Sequence, residues 1–508
     1  MAEIAIELLN IDKRFGDVHA NRDVSLSIYQ GSIHGIIGEN GAGKSTLMSI
    51  LYGYYQADKG SIRVRQKEVN IRNSHDAIRL GIGMVHQHFM LVDNFSVLEN
   101  IVLGAEGGFV LKGGMAAARD HLKRLNQDYG LEVDPDAIVG ELGVGLQQRV
   151  EILKALYRGA EVLILDEPTA VLTPQEADHL FRILRALRDQ GKTVVIITHK
   201  LREVIDVTDH VTVMRAGEVV GNVLTKEVDT EQLADLMVGR KVNLKVEKRQ
   251  SEPGAVVLDV QQINLQDARG VQLLQNISFQ LRAGEIVGIA GVSGNGQSEL
   301  LEVLAGTMAA NSGRVMYRGE DLLAISTTRP KAALFREKGI AHIPEDRSRE
   351  GLVKTFPVFE NCMLGYHRQP DIQKGWWLNR QALVEKAKGF ISRFDVRPTN
   401  PLLRVGQLSG GNQQKVVLAR EIDSNPDVLL IGQPTRGVDI GAIEFIHQQL
   451  VALRDAGKAI LLVSVELDEI LALSDRIIVM AGGQLTGEVP AHEATATGLG
   501  CLMGGVQS

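Results

Sequence analysis

The segment GSIHGIIGENGAGKSTL at residues 31–47 decides the fold. Residues 32–37 are a short apolar run of strand length, and helical sequence follows at residues 46–53. Between them, GENGAGKS at residues 38–45 matches the pattern G-x-x-x-x-G-K-[ST] in full. Such a loop points backbone N–H groups at phosphates, where Lys44 can reach the β and γ phosphates and Ser45 can hold Mg²⁺. A chance glycine-rich turn is the alternative, and the order strand, loop, helix argues against it.

Two carboxylates follow a second apolar strand, VLILDEP at residues 162–168. Asp166 stands at the carboxyl end of that strand, where ligands bind in open parallel sheets, and is suited to the Mg²⁺ shell. Glu167 is expected to be the general base for water that attacks a γ phosphate. An ordinary solvated turn is the alternative. His199 ends another apolar strand and is expected to contact the γ phosphate, although a packed strand-end histidine is the alternative.

Composition excludes several classes of protein. The chain has 508 residues, 55 Lys+Arg against 62 Asp+Glu, a net charge of −7 and two cysteines. This length suits two α/β domains, and the acidic balance offers no general attraction to nucleic acid. Two cysteines are too few for a disulfide framework or a zinc module. We expect neither a secretory leader nor a spanning helix, because no apolar run approaches about 18 residues.

The chain contains two copies of one domain. Residues 31–47 match GEIVGIAGVSGNGQSEL at residues 284–300, and residues 160–173 match PDVLLIGQPTRGVD at residues 426–439. Short apolar strands alternate with helical segments in both copies, which indicates a mostly parallel sheet. We therefore predict an α/β fold with a first domain at residues 1–240, an exposed linker at 241–255 and a second domain at 256–508.

A third repeated motif points to a family. LSGGN at residues 408–412, followed by QQK, precedes the second acidic-strand position, and LGVGL at residues 142–146 is its counterpart. With the phosphate loop, this signature resembles the ATPase subunit of an ABC transporter, and the resemblance covers nearly the whole chain once per half. It implies P-loop NTPase domains with helical subdomains, which bind ATP and Mg²⁺.

The resemblance also implies a set of site residues. Gln87 corresponds to the Q-loop residue, and Phe15 to the aromatic residue that stacks on adenine, although a turn-capping role for Phe15 is an alternative. The expected nucleotide-binding residues are Gly38, Glu39, Asn40, Gly41, Ala42, Gly43, Lys44, Ser45, Thr46, Phe15, Ser409, Gly410 and Gly411. The expected catalytic residues are Glu167, His199 and Gln87. The expected Mg²⁺ ligands are Ser45, Gln87 and Asp166.

The second copy lacks most of this chemistry. Its counterparts of Lys44, Asp166, Glu167, His199 and Gln87 are Gln297, Gly432, Gln433, Val465 and Glu345. Loss of a general base or a charge-stabilising group commonly costs about 10²–10⁴ in rate. The degenerate site is therefore expected at Gln297, Ser298, Glu345, Gly432, Gln433 and Val465. It either binds nucleotide without turnover or serves as a hinge.

The defects are sorted between the copies. The first copy has the intact phosphate loop with the degraded signature, and the second copy has the intact signature. The resemblance implies a head-to-tail pairing in which the phosphate loop of one domain faces the signature of the other. This pairing would make one complete ATP site and one impaired site.

The pattern resembles the fused ATPase subunits of bacterial importers for monosaccharides and nucleosides. IPEDRSREGL at residues 343–352 supports this, and MVHQHFMLV at residues 84–92 favours the nucleoside branch over the sugar branch. The implied partners are two polytopic permeases and an extracytoplasmic substrate-binding protein, with the chain peripheral on the cytoplasmic face of the bacterial membrane. Residues 88–101 are expected either to dock on a permease or to form the core of a small helical subdomain. The charged residues 344–361 predict a different second docking surface. A ribosome-acting or DNA-repair ABC protein is the rival class, and no nucleic acid partner is expected.

Overall fold

The computed structural model divides the chain into two compact units, Met1–Val242 and Asn243–Ser508, called here the first and second domains. It describes residues 3–16, 18–86, 89–104, 114–169, 172, 174–243, 246–250, 252–292, 294–368, 372–374 and 377–503. Within these ranges no helix is both long and apolar enough to cross a membrane.

The first domain is a six-stranded sheet joined to a four-stranded antiparallel sheet, with helices between the strands. Its strands are β1 (Ile4–Phe15), β2 (Val18–Tyr29), β3 (Ile33–Gly38), β4 (Lys59–Val64), β5 (Lys67–Val69), β6 (Ile82–Val85), β7 (Val162–Asp166), β8 (Thr193–Thr198), β9 (His210–Arg215) and β10 (Glu218–Leu224). Its helices are α1 (Lys44–Leu51), α2 (Ser74–Arg79), α3 (Val97–Val102), α4 (Gly114–Tyr129), α5 (Val144–Tyr157), α6 (Pro174–Asp189), α7 (Leu201–Val207) and α8 (Thr230–Val238).

The second domain repeats this order. Its strands are β11 (Val256–Gln266), β12 (Gln272–Arg282), β13 (Ile286–Ala290), β14 (Ser312–Tyr317), β15 (Glu320–Asp321), β16 (Ile340–Ile343), β17 (Gln373–Lys374), β18 (Trp377–Leu378), β19 (Val428–Gly432), β20 (Ala459–Ser464), β21 (Arg476–Ala481) and β22 (Gln484–Pro490). Its helices are α9 (Gln297–Leu304), α10 (Lys331–Glu337), α11 (Val358–Asn361), α12 (Arg380–Arg393), α13 (Gly410–Asp423), α14 (Ile440–Asp455), α15 (Leu467–Leu473) and α16 (Ala496–Met503).

The larger sheets have the same strand order. It is β6-β7-β8-β3-β9-β10 in the first domain and β16-β19-β20-β13-β21-β22 in the second. In each sheet the last strand pairs antiparallel and the other pairs are parallel. The α/β prediction with a mostly parallel sheet is confirmed. The four-stranded antiparallel sheets, β2-β1-β4-β5 and β12-β11-β14-β15, were not predicted.

Each large sheet is buried on both faces. In β7, Leu163 and Leu165 belong to one hydrophobic core, whereas Val162 and Ile164 belong to another. Because strand side chains alternate between faces, the sheet lies between two cores and its strands are apolar throughout. This arrangement leaves the strand ends as the place where polar side chains can gather.

The segment before β11 is tied to the second domain. The buried Arg454 side chain donates to the Arg249 backbone oxygen at 2.9 Å and pairs with Asp475 at 2.9 Å. The Lys248 ammonium lies 3.6 Å from the same Asp475 carboxylate. These contacts attach the segment to the second domain. Most of its described residues are nevertheless exposed, and the sequence predicts an exposed linker here.

Candidate functional site: a phosphate loop and the strand ends beside it

The phosphate loop connects β3 to α1 in the first domain. Strand β3 ends at Gly38, one residue beyond the predicted end, and α1 begins at Lys44. Gly43 caps the helix with φ 96°, and a Cβ atom there would collide with the Ala20 carbonyl oxygen. Gly41 also has a positive φ, 84°. These left-handed residues curl the loop over the start of α1, where backbone N–H groups attract anions.

Lys44 is held inside this loop. Its buried ammonium group donates to the backbone oxygens of Gly38 at 2.7 Å and Glu39 at 3.0 Å. Burial lowers the pKa of Lys44, and the nearby carboxylates of Glu167, Asp166 and Glu39 oppose that shift. A cation so poorly hydrated gains more than an exposed one from a neighbouring phosphate.

The ends of β7 and β8 bring Glu167 and His199 together. His199 Nδ1 lies 2.8 Å from Glu167 Oε1, and the Glu167 N–H donates to the Ile197 oxygen at 2.8 Å. Glu167 has φ 49°, which is uncommon outside glycine. Ser45, the second residue of α1, points its hydroxyl at Asp166 Oδ1 across 3.4 Å. The predicted residues therefore meet at one edge of the sheet.

The two adjacent carboxyl groups have opposite pKa shifts. Burial and the charge of Glu167 raise the pKa of Asp166, against the Ser45 hydrogen bond and the Lys44 charge. Burial would also raise the pKa of Glu167, but the His199 hydrogen bond and charge, with Lys44 and Lys200, outweigh it and lower that pKa. Glu167 is therefore kept ionised, which is the state a general base requires.

This edge fits Mg²⁺ and a nucleoside triphosphate. The Ser45 hydroxyl and the Asp166 carboxylate are oxygen donors of the kind Mg²⁺ prefers. Among the described residues no group of three or more His, Cys, Asp or Glu side chains could hold a metal ion by itself. A Mg²⁺ ion here would thus depend on substrate phosphates for further ligands, as is usual for Mg²⁺ in nucleotide sites.

The predicted adenine contact is an exposed aromatic residue. Phe15 ends β1 with 41% of its surface exposed, and its ring packs edge-to-face on Tyr55 with centroids 5.0 Å apart. Tyr55 was missed from the sequence, because an aromatic residue after α1 gives no distinctive pattern. Gln87 lies outside the described residues.

The second signature forms the start of α13. Ser409 caps that helix, and its hydroxyl accepts from the Asn412 side-chain amide at 2.8 Å. A Cβ atom on Gly410 would lie 2.5 Å from Arg347 Nη2, and one on Gly411 would lie 2.6 Å from Asp439 Oδ2. In the first domain, α5 is capped by Gly143 without a side-chain hydrogen bond. The sequence difference between the signatures is thus a real difference in helix capping.

Comparison with known proteins agrees with this geometry. The family model described as ABC transporter matches residues 21–170 and 274–436. The chain belongs to the ABC transporter family. It is a tandem of two ABC ATP-binding domains, and it is an ATPase.

Related ABC proteins match over nearly their full length. The nucleoside import ATP-binding protein NupA of Lactococcus lactis is 46% identical, covering 99% of this chain and 98% of the relative. The guanosine import ATP-binding protein NupO of Bacillus subtilis is 47% identical, with the same coverage. The glucose import ATP-binding protein TsgD13 of Haloferax volcanii is 43% identical, covering 98% of this chain and 96% of the relative.

The second ABC domain keeps the shape of the site with altered side chains. Gln297 donates to the Val292 oxygen at 3.1 Å, where Lys44 donates to loop oxygens in the first domain. Gln433 has φ 48° and accepts from the Val465 N–H at 3.2 Å. The Ser298 hydroxyl donates to Glu345 Oε2 at 2.9 Å. Burial raises the pKa of Glu345, against that hydrogen bond.

A cavity of about 200 Å³ lies in the first ABC domain beside the segment that follows β6. Its lining includes Tyr52, Tyr54, His86, Met90 and Glu151. The Glu151 side chain is buried, and its Oε1 has no hydrogen-bond partner. The Lys154 ammonium lies 3.7 Å from that oxygen, so the cavity wall carries a largely buried ion pair.

The corresponding part of the second ABC domain contains a buried polar network. The Tyr366 hydroxyl donates to Glu421 Oε2 at 2.6 Å, and Arg420 Nε donates to Glu421 Oε1 at 2.8 Å. Arg336 lies 3.7 Å from the same carboxylate. The sequence predicts different docking surfaces from the charge of residues 344–361, but it did not reveal this network, whose members are far apart in the chain.

Proposed function

We propose that this chain is the ATP-hydrolysing subunit of an importer for nucleosides. The observation that carries the proposal is the match of 46–47% identity, over nearly the full length, to two ATP-binding proteins named for nucleoside and guanosine import. Import of a monosaccharide is the second candidate, because a relative named for glucose import follows at 43% identity. The ATPase itself does not contact the cargo, so its site chemistry does not separate these two.

ATP is hydrolysed at the first phosphate loop in this proposal. Lys44 and the loop N–H groups would bind the β and γ phosphates, while Ser45 and Asp166 would hold Mg²⁺, which would neutralise phosphate charge. Glu167 accepts a proton from the attacking water, and its short contact with His199, 2.8 Å, keeps its carboxylate ionised and oriented. His199 can then donate towards the γ phosphate.

The intact signature completes this site in the proposal. Ser409 and the Gly410–Gly411 backbone would donate to the γ phosphate, as the family resemblance implies. Ser409 is already positioned at the N-terminus of α13, where backbone N–H groups and the helix dipole favour an anion. Gln87 would complete the Mg²⁺ shell.

The partners would be two polytopic permeases and an extracytoplasmic binding protein, with the chain on the cytoplasmic face of the membrane. We assign permease docking in the first domain to the cavity around Glu151 and to the neighbouring Met90, 59% of which is exposed. The polar network of Glu421 lies at the matching place in the second domain, so the two docking surfaces would accept different permease segments.

The test is reconstitution with the permeases and binding protein encoded beside this chain. ATP-dependent uptake into vesicles is measured with guanosine, uridine, ribose and galactose, with Glu167→Gln as the inactive control. Nucleoside uptake that needs both ATP and the binding protein supports the proposal. Uptake of ribose or galactose alone would favour the second candidate. Recovery of the chain with ribosomes instead of a polytopic membrane protein would overturn both.

A further inference from the structure

The segment that follows β16 is longer in the second domain than its counterpart in the first. In both domains an asparagine side chain binds the backbone at the end of this segment, at Val92 in the first domain and at Val353 in the second. Gln87 lies five positions before Val92, whereas its counterpart Glu345 lies eight positions before Val353. The second domain therefore carries three additional residues here.

The longer segment forms a π-helical turn at Arg347–Gly351. Asp346 caps the turn, and its side chain accepts from two backbone N–H groups within it. Such turns are rare and are frequent at functional sites. This one lies against α13, the helix that begins with the intact signature, because Arg420 of α13 donates to the Gly351 oxygen at 2.9 Å.

The Arg347 guanidinium lies beside the first residue of α13. Its Nη1 donates to the Arg436 oxygen at 2.6 Å and its Nη2 to the Gly437 oxygen at 3.2 Å, both in the loop after β19. A Cβ atom on Gly410 would lie 2.5 Å from the same Nη2. Arg347 therefore separates the signature backbone from the loop after β19 by a fixed distance, and leaves no room for a side chain at position 410.

The first domain differs at both parts of this contact. Val144 stands at the position of Gly410, and its side chain is exposed. A guanidinium placed like that of Arg347 would collide with Val144, because the distance to a Cβ atom is only 2.5 Å. Residues 87–92 of the first domain contain neither arginine nor lysine. The arginine thus accompanies the intact signature and is missing beside the degraded one.

We propose that Arg347 is a positioning residue for the second signature, which holds the Gly410 backbone and the Ser409 hydroxyl where they would bind the γ phosphate. Arginine suits this role because its planar guanidinium donates to two oxygens in a fixed geometry, which lysine cannot do. The terminal nitrogens of Arg347 donate to backbone oxygens, so Arg347 acts through the signature and not on phosphate. The inference rests on the proposed function in taking the second signature as part of the ATP site.

The test measures phosphate release by the full-length chain in the reconstituted importer complex, and ATP affinity by filter binding. Arg347→Met removes the guanidinium, and we expect kcat to fall about 10-fold to 10²-fold while ATP affinity stays within about threefold, because Lys44 and its loop are unchanged. Arg347→Lys keeps the charge and should recover part of the rate. Arg349→Met removes an exposed guanidinium from the same turn and is the matched control, which should keep the wild-type kcat.

A double-variant cycle shows whether Arg347 acts through the signature. Ser409→Glu places a negative charge where the γ phosphate would bind, so adding Arg347→Met should lower kcat by less than about a further threefold. A further loss of about tenfold or more would overturn the inference, because independent effects multiply. It would also be overturned if Arg347→Met kept more than half of the wild-type kcat, or if ATP affinity fell in step with kcat.

The same variants separate this inference from folding and from the proposed function. Urea unfolding reports the stability of each variant. If Arg347→Met does not fold, Arg347→Lys decides: a lower kcat at unchanged ATP affinity supports the inference, and a wild-type kcat overturns it. If Ser409→Glu keeps the wild-type rate, the proposed ATP site is wrong and the inference fails with it. If Ser409→Glu lowers the rate and Arg347→Met does not, the inference alone fails.

Discussion

Glu167→Gln is expected to remove catalysis at the first site without disturbing the fold, because the second domain already has a glutamine at the equivalent position. Gln433 stands at the equivalent strand end with φ 48°, against 49° for Glu167. Its N–H donates to the neighbouring strand at 2.8 Å, the same distance as for Glu167. Glutamine is therefore accommodated by this backbone, and we expect a change in unfolding free energy within about 0.5 kcal/mol.

The effect on hydrolysis is expected to be large. Glutamine cannot accept a proton from water, so the general-base contribution of about 10²–10⁴ in kcat is lost, equivalent to about 3–5 kcal/mol in the activation barrier. ATP affinity should stay within about threefold, because Lys44 and the loop are unchanged. Phosphate release by the importer complex measures the rate, and filter binding of labelled ATP measures affinity.

The mirror variant Gln433→Glu is the matched control. It restores a carboxylate at the second strand end, but Gln297 and Val465 still lack the lysine charge and the imidazole, so kcat should change by less than about twofold. The reasoning would be refuted if Glu167→Gln kept more than a third of the wild-type rate while Gln297→Ala abolished hydrolysis. That outcome would place the working site in the second domain.

Four further changes test other features. Lys44→Ala should lower kcat at least about 10²-fold in phosphate release, whereas Gln297→Ala should stay within about threefold. Ser409→Glu should lower kcat about 10²-fold if the second signature serves the working site, whereas the matched Gly143→Glu should have no effect. Gly432→Ala should cost about 1–3 kcal/mol in urea unfolding because its Cβ meets Glu345, and adding Glu345→Ala should recover part of this. Burial and the nearby His210 lower the pKa of His34 to about 3. Below pH 6.5 the unfolded chain therefore binds a proton at His34 that the folded chain does not, and the first domain should lose about 2 kcal/mol of unfolding free energy between pH 7 and pH 5. Urea titrations at the two pH values measure this loss, which His34→Gln should remove.

The sequence predicts the strand and helix around the first phosphate loop closely because both are regular elements. The pattern at residues 38–45 can form only between a strand and a helix, and β3 and α1 begin and end within two residues of the expected bounds. The apolar strands ending at Asp166 and Thr198 are buried on both faces, so their ends must meet at one sheet edge. The contact of Glu167 with His199 follows from that topology.

The antiparallel sheets were harder to predict because bulges break their alternation. In β1 the pairing register with β2 shifts between Leu8 and Ile11, where Asn10 has φ 51°. In β11 the same shift falls between Val260 and Ile263, with φ 50° at Gln262. A left-handed residue inside a strand adds one position to the alternation of buried and exposed side chains. The apolar residues before and after it therefore do not follow one period of two in the sequence.

The contact between positions 345 and 432 could not be predicted from either copy alone. Glu345 and Gly432 are 87 positions apart in the chain, and no sequence pattern links the two positions. In the structure a Cβ atom on Gly432 would lie 2.5 Å from Glu345 Cγ, so the glycine leaves room for the Glu345 side chain.

The backbone of the second site keeps the conformation of the first although the catalytic side chains are replaced. Gln433 adopts φ 48° although it is not glycine, a conformation that costs roughly 1–3 kcal/mol unless the surroundings hold it. At Glu167 this conformation aims a base, but Gln433 has no base to aim. Its side chain instead accepts from the Val465 N–H, while Gln297 closes the phosphate loop and Glu345 reaches Ser298. The fold therefore holds this strand end and this loop in the same conformation in both domains, through hydrogen bonds that do not require the catalytic side chains.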